Sequence, residues 1–194
     1  MSAATESAAT LQFTTQEEWD AWLALNHASS LGVWLQLAKK ASGAPSVSYG
    51  EAVEVALCYG WIDGQSKSHD DLSWLQRFSP RGPRSIWSKI NREKAGQLIE
   101  SGRMQPAGLA AVQQAKANGQ WEAAYDSPAT ASVPDDLQAA LEHNPEAREF
   151  FATLNSRNRY AILHRIQTAK KPETRAKRIA QFVEMLERGE LLYP

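Results

Sequence analysis

The chain has 194 residues, of which 43% are hydrophobic and 22% charged, and these proportions are typical of a globular protein. No apolar run approaches the roughly 18 residues that a membrane-spanning helix needs, and residues 1–12 lack the features of a secretion signal. We therefore expect a cytoplasmic protein without membrane insertion. Its single cysteine, Cys58, excludes a disulfide framework.

The formal net charge of −1 conceals two strongly basic segments. Residues 77–94 carry six basic side chains and one acidic side chain, and residues 157–178 carry eight and one. The rest of the chain is therefore strongly acidic. Because clustered Lys and Arg side chains attract anionic partners, these two segments are the first places to look for a binding site.

The chain begins with a segment that predicts no regular structure. Residues 1–12 are rich in Ser, Ala and Thr without an apolar period, and we expect a mobile tail. Thr14 or Thr15, each followed three residues later by Glu, then predicts the start of a helix. In residues 32–39 apolar side chains recur at every second position, which predicts a strand.

A helix, a hairpin and two more helices are predicted next. Ser48 and Glu51 form a capping box, and Gly60 is suited to end the helix that they begin. Residues 61–80 predict a β-hairpin, which would join the strand at 32–39 in an antiparallel sheet of about three strands. Further helices are predicted from an N-cap at Ser85 to Ser101 and from Pro106 to Gly119.

The last third of the chain is predicted to be helical. Residues 125–134 contain two prolines and small polar side chains, which predicts a linker loop. Apolar stripes then predict a bundle of four helices at 135–143, 145–154, 156–168 and 172–188. The fold class is α+β and mostly helical, with a small antiparallel sheet within residues 13–124 and a C-terminal helical bundle over residues 135–194.

The first basic segment predicts a site for an anion or another small molecule at the base of the hairpin. A helix beginning at Ser85 would present free N–H groups to an anion, the arginines would add bidentate donors, and tryptophan rings would offer stacking surface. The alternative is structural, with buried tryptophans and solvated arginines. The candidate ligand-binding residues are Trp61, Asp63, Arg77, Ser79, Arg81, Arg84, Ser85, Trp87 and Lys89.

The second basic segment lies on two predicted helices and predicts a secondary basic surface. Such a surface could contact nucleic-acid phosphates or an acidic protein, or it could be a solvated helical face. A pI near 6.4 and the lack of any nucleic-acid-binding motif weigh against nucleic acid. The residues of this surface are Arg159, Tyr160, Lys170, Lys171, Arg175 and Arg178.

The sequence contains no recognised catalytic or metal-binding motif. The four histidines are widely separated, so no metal and no cofactor are predicted. Cys58 is expected to be a buried structural thiol. An enzyme of unrecognised class stays open as an alternative, with Asp63 as acid or base and the arginines stabilising negative charge.

Four motifs and a longer segment carry a family resemblance. The motifs are LCYGWIDGQ (57–65), RFSPR (77–81), SIWSK (85–89) and GRMQPAG (102–108), and the segment covers residues 158–179. They resemble the YdeI/OmpD-associated family of bacteria, with its bacteriocin-protection domain at the C-terminal end. The resemblance implies a link to resistance against bacteriocins or antimicrobial peptides and implies no catalytic residues. We therefore expect a non-enzymatic binding protein with an anionic small molecule or a protein as its partner.

Overall fold

The computed structural model describes residues 8–194, and within this range the chain has the predicted α+β fold. It divides into two compact units. The first comprises the chain up to Ile86 together with residues 91–122, and the second comprises residues 87–90 and 123–194. Residues 1–7 of the predicted tail lie outside the described residues.

The first unit contains the sheet. Its strands are β1 (Thr10–Gln12), β2 (Val33–Ala38), β3 (Trp61–Ser68) and β4 (Ser73–Pro80). The helices of this part of the chain are α1 (Gln16–Asn26), α2 (Tyr49–Cys58), α3 (Lys89–Glu100) and α4 (Pro106–Ala117). The strand at 32–39 and the hairpin at 61–80 are confirmed.

The sheet has four strands in the order β1-β2-β4-β3, where the sequence predicted about three. The pairs β2–β4 and β3–β4 are antiparallel, whereas β1 runs parallel to β2 with Thr10 opposite Trp34. The predicted mobile tail is therefore wrong for residues 10–12. Main-chain pairing with a distant strand gives these residues their structure, and their own side chains show no apolar pattern that would reveal it.

The core of the first unit lies between one face of the sheet and helices α1 and α2. On β2, Val33, Leu35 and Leu37 are buried and alternate with half-buried residues, as the two-residue period of a strand requires. The Trp19 ring from α1 lies 5.7 Å from the Phe78 ring of β4, and its Nε1 donates to the Ala52 carbonyl at 3.1 Å.

The predicted caps of α1 and α2 are confirmed. The Thr15 hydroxyl accepts from the Glu18 amide, and Ser48 and Glu51 make both hydrogen bonds of a capping box. Gly60 follows α2 with φ of 72°, a left-handed conformation that glycine adopts without strain.

The predicted start of α3 at Ser85 is wrong, because the helix begins at Lys89. Ser85 closes a turn instead: its amide donates to the Gly82 carbonyl at 3.0 Å, and its hydroxyl accepts from the Gly82 amide at 3.1 Å. The same short polar side chain suits a helix cap or a turn, and the turn has formed here.

The second unit contains the four helices predicted for the C-terminal third. They are α5 (Asp135–Glu142), α6 (Pro145–Thr153), α7 (Ser156–Gln167) and α8 (Pro172–Glu187). Leu137, Ile162, Ile166 and Leu186 are completely buried in their common core. Even α8, the longest helix with 16 residues, is too short to cross a membrane, and no other helix of residues 8–194 is long and apolar enough to do so.

Residues 87–90, which precede α4 in the chain, also belong to the second unit. The Tyr125 amide donates to the Trp87 carbonyl at 2.9 Å, and the Lys89 amide donates to the Tyr125 carbonyl at 2.9 Å. This pairing places Ser88 opposite Tyr125 in an isolated parallel bridge. Residues 87–90 are thus tied to residues that follow α4.

Candidate functional site

Two of the three arginines of the predicted anion site bind main-chain carbonyl groups. Arg77 Nη2 donates to the Leu31 carbonyl at 3.3 Å, and Arg81 Nη1 donates to the Ile86 carbonyl at 3.2 Å. Arg84 is exposed, and Ser85 begins no helix. The helix terminus on which the predicted anion site depends is therefore missing at Ser85.

Two of the three hairpin residues of the predicted site, Trp61 and Asp63, already have hydrogen-bond partners within the protein. Trp61 is 1% exposed, and its Nε1 donates to the His27 carbonyl at 3.2 Å, which places the ring in the core rather than on a ligand-binding surface. Asp63 Oδ2 accepts a hydrogen bond of 2.7 Å from the Tyr49 hydroxyl. Ser79 is half-buried and lies opposite Ile62 in the hairpin.

The remaining two residues of that prediction belong to the second unit. Trp87 is buried, and Lys89 Nζ lies 2.7 Å from Asp126 Oδ1 in an ion pair. The hydrogen bond from Lys89 lowers the pKa of the Asp126 carboxyl, with a second contribution from the Gln167 amide. The nine predicted residues are thus divided between the two units, and Lys89 already has an anionic partner.

The residues of the secondary basic surface also separate in the structure. The Arg159 guanidinium lies 4.4 Å from the centre of the Phe151 ring, and Arg175 makes a bidentate ion pair with Asp136 at 2.6 and 2.8 Å. Lys170 and Lys171 are exposed between α7 and α8. Only Tyr160 and Arg178 of the six line a common pocket.

This pocket, the arginine pocket, has a volume of about 810 Å³ and lies within the second unit. Most of its lining comes from one face of α7, where residues three or four positions apart point the same way. No acidic side chain is among its lining residues. They are Pro128, Ser156, Arg157, Tyr160, Ala161, His164, Arg165, Thr168, Arg178 and Tyr193.

The three guanidinium groups of the arginine pocket differ in the number of contacts that they make within the protein. Arg165 donates to the Ala161 carbonyl at 3.2 Å and to the Tyr193 hydroxyl at 3.1 Å, and Arg178 donates to the Arg165 carbonyl. Arg157 is exposed, and its guanidinium lies 4.3 Å from the centre of the Tyr193 ring. A guanidinium has five N–H donors, so each of the three keeps donors beyond these bonds.

Aromatic residues hold His164 in the wall of the pocket. Its ring meets the Tyr125 ring edge to face at 4.7 Å and lies 5.7 Å from the Tyr160 ring. Burial lowers the pKa of His164, and the positive charges of Arg165 and Arg178 lower it further. The imidazole is therefore neutral at pH 7, and protonation on acidification would add a fourth positive charge.

A second cavity in this unit has a different chemical character. A groove of about 630 Å³ between α5 and α8 is lined by small and branched apolar side chains and by the Arg175–Asp136 ion pair. The hydrogen bond from Arg175 lowers the pKa of Asp136, which keeps the pair ionised. Since its lining also includes Glu184 and Glu187, this groove does not favour an anion.

The thiol of Cys58 has no chemical role that the structure supports. The residue is 3% exposed, and burial raises the pKa of the thiol to about 11, so the thiol stays protonated and unreactive at neutral pH. Within the described part of the chain, no three His, Cys, Asp or Glu side chains are grouped so that they could hold a metal ion.

The sequence predictions named two of the ten residues that line the arginine pocket. The eight that they missed include the four with cationic or aromatic side chains, Arg157, His164, Arg165 and Tyr193. Together with Tyr160, the first three follow the i, i+3, i+7, i+8 pattern that places side chains on one helical face. That signal was available. Tyr193 lies beyond the end of α8, and no local pattern connects it to α7.

Two family models match the chain. Residues 11–111, just over half of the chain, match a domain of unknown function (DUF8412), and this segment includes all four N-terminal motifs. Residues 130–189 match the family described as bacteriocin-protection, YdeI or OmpD-associated, and include eight of the ten residues that line the arginine pocket. No curated protein and no solved structure matches. The chain therefore belongs to the DUF8412 family, and its C-terminal residues 130–189 are similar to the bacteriocin-protection, YdeI or OmpD-associated family.

Proposed function

We propose that the chain is a non-enzymatic binding protein that holds a small organic anion in the arginine pocket. The observation that carries this proposal is the lining: three arginines and a histidine share one pocket with no carboxylate. Guanidinium groups bind phosphate and carboxylate groups through paired N–H donors. The ligand class is therefore a molecule with a phosphate or carboxylate group.

The rest of the lining favours a ligand with an apolar or aromatic part. Tyr160, Tyr193 and His164 offer ring surface, and Pro128 and Ala161 offer aliphatic surface. Binding sites for small molecules combine such surface with a few polar groups that fix orientation. The cavity of about 810 Å³ is within the usual size of such sites.

The proposal assigns this binding to the domain whose family description refers to bacteriocin protection. The proposal thus assigns a ligand to this domain. Resistance to bacteriocins would be the process in which the ligand-binding domain acts. The proposal includes a cytoplasmic location, in which the single cysteine would stay reduced.

The binding is tested by titrating the full chain with pyrophosphate in a calorimeter. Removing the charge of Arg157 by Arg157→Gln, or of Arg178 by Arg178→Gln, is expected to weaken binding about tenfold, because hydrogen bonds to a charged group are lost. Arg178 also donates to the Arg165 carbonyl, so melting temperatures are recorded to show that the fold is kept.

The matched control is Arg188→Gln. Arg188 lies after α8, pairs with Glu184 and Glu190, and does not line the arginine pocket. It carries the same charge change, so a purely long-range effect of net charge would weaken binding equally in all three variants. Equal loss in the control, or no binding by the wild type, contradicts the proposed site.

Acidification is expected to strengthen anion binding through His164. The free pocket holds a neutral imidazole because its pKa is lowered, and a bound anion favours the charged form. Affinity for sulfate, which stays a dianion in this range, should rise about fivefold between about pH 7.5 and about pH 5. His164→Gln should remove the rise. A wild-type affinity that is constant over this range contradicts the prediction.

A further inference from the structure

The chain after α8 returns to α7 and is fixed there by Asn158. Asn158 is 1% exposed, its Nδ2 donates to the Tyr193 carbonyl at 2.9 Å, and its Oδ1 accepts from the Tyr193 amide at 2.9 Å. These are the two hydrogen bonds that a paired strand would make. Leu192 packs against the core beside them. The main chain of Tyr193 is therefore held at a fixed place beside α7.

The side chain of Tyr193 contacts two arginines of the pocket at once. Its hydroxyl accepts a hydrogen bond of 3.1 Å from Arg165 Nη2. Its ring centre lies 4.3 Å from the Arg157 guanidinium carbon and 5.6 Å from that of Arg165. A single aromatic side chain thus serves as both a π-face and a hydrogen-bond acceptor for the two cations.

The positions of the two arginines on α7 show why such a contact is needed. Arg157 and Arg165 are eight residues apart, so their Cα atoms are separated by about 12 Å along the helix. Long arginine side chains with like charges would diverge from one another in solvent. The Tyr193 ring is close to both guanidinium groups and attracts them to one wall of the pocket.

We infer that Tyr193 is a positioning residue of the arginine pocket, which sets Arg157 and Arg165 in place for the anion, and that Asn158 fixes Tyr193. This inference rests on the proposed function. A binding site whose charged side chains are already ordered loses less conformational entropy when the ligand binds. Tyr193 therefore contributes to affinity without any contact to the ligand being required.

The test measures pyrophosphate affinity and melting temperature for Tyr193→Leu and Tyr193→Phe in the full chain. Tyr193→Leu removes both ring and hydroxyl and is expected to weaken binding about tenfold. Tyr193→Phe keeps the ring beneath Arg157 and should weaken binding less. Phe150→Leu is the matched control, because Phe150 packs on the same core but does not line the pocket.

A double-mutant cycle separates positioning from general stability. When Arg157 has already been changed to Gln, Tyr193→Leu should cost much less affinity than it does in the wild type, since one of the two arginines that it positions is gone. A loss of stability alone would reduce affinity by the same factor in both backgrounds. If the Tyr193→Leu variant does not fold, the same cycle is run with Tyr193→Phe and Arg165→Gln. Tyr193→Phe removes the hydroxyl that accepts the hydrogen bond from Arg165.

The outcomes distinguish this inference from the proposed function. Unchanged affinity in the Tyr193 variants, or additive losses in the cycle, overturns the positioning role while the arginine pocket stands as an anion site. Failure of the wild type to bind pyrophosphate overturns the proposed function and the inference that rests on it.

Discussion

Substituting alanine for Gly108 is expected to lower the free energy of unfolding by about 3 kcal/mol. Gly108 lies in α4, where a Cβ atom would come within 2.3 Å of the Cys58 carbonyl oxygen at the end of α2. It would also lie 2.3 Å from the Met104 sulfur. Because that carbonyl already accepts a hydrogen bond from the Gln105 amide, the main chain has little freedom to retreat.

The matched control is Gly96→Ala in α3. A Cβ atom at Gly96 would have no atom within 4 Å, so alanine adds only its better helix propensity, a gain of about 0.8 kcal/mol. Urea denaturation of the two variants beside the wild type measures both effects. The same sign of change at both positions would show that the close approach of α2 and α4 does not determine stability.

The second large effect is expected at Trp19, the centre of the aromatic core. The side chain is fully buried, and its ring lies 5.4 to 6.3 Å from the rings of Trp22, Phe78 and Trp61. Trp19→Ala should lower the free energy of unfolding by about 4 kcal/mol, since it opens a cavity and removes the indole hydrogen bond to the Ala52 carbonyl.

The comparison for Trp19→Ala is Trp34→Ala, which makes the same substitution on the opposite face of the sheet. Trp34 is half-buried, and the Lys67 ammonium lies 4.3 Å from the centre of its ring. Losing an exposed cation–π contact should cost about 1 kcal/mol. Denaturant midpoints that fall equally for the two tryptophans would contradict the assignment of the core to the face that α1 covers.

Local sequence patterns predicted most of the secondary structure because most of it is determined locally. The Ser48 capping box, Gly60 and the apolar alternation of β2 each act within a few residues. Strand β1 could not be predicted in this way, because its partner residues lie more than twenty positions along the chain. Ser85 shows a second limit of local patterns, because its hydroxyl is suited both to a helix cap and to a turn. In the structure it accepts a hydrogen bond from the Gly82 amide and forms the turn.

The lining of the arginine pocket was only partly predictable for a related reason. Basic clusters in the sequence drew attention to α7 and α8, and two of the six residues named there, Tyr160 and Arg178, line the arginine pocket. Charge density cannot show which arginines already have partners. Arg175 is neutralised by Asp136, and Arg77 is bound to a main-chain carbonyl, and both contacts depend on the tertiary fold.

The pairing of residues 87–90 with Tyr125 decides how the C-terminal domain can be excised. A fragment that begins at residue 123 would leave the Asp126 carboxylate without Lys89 and the Tyr125 main chain without its two partners. A fragment cut at the family boundaries, 130–189, would also lose Tyr193 and with it the anchor on Asn158. The domain recognised by sequence is therefore shorter than the compact unit of the structure. Transplanting that unit with these contacts intact requires residues 87–90 to be joined ahead of residue 123 by a linker.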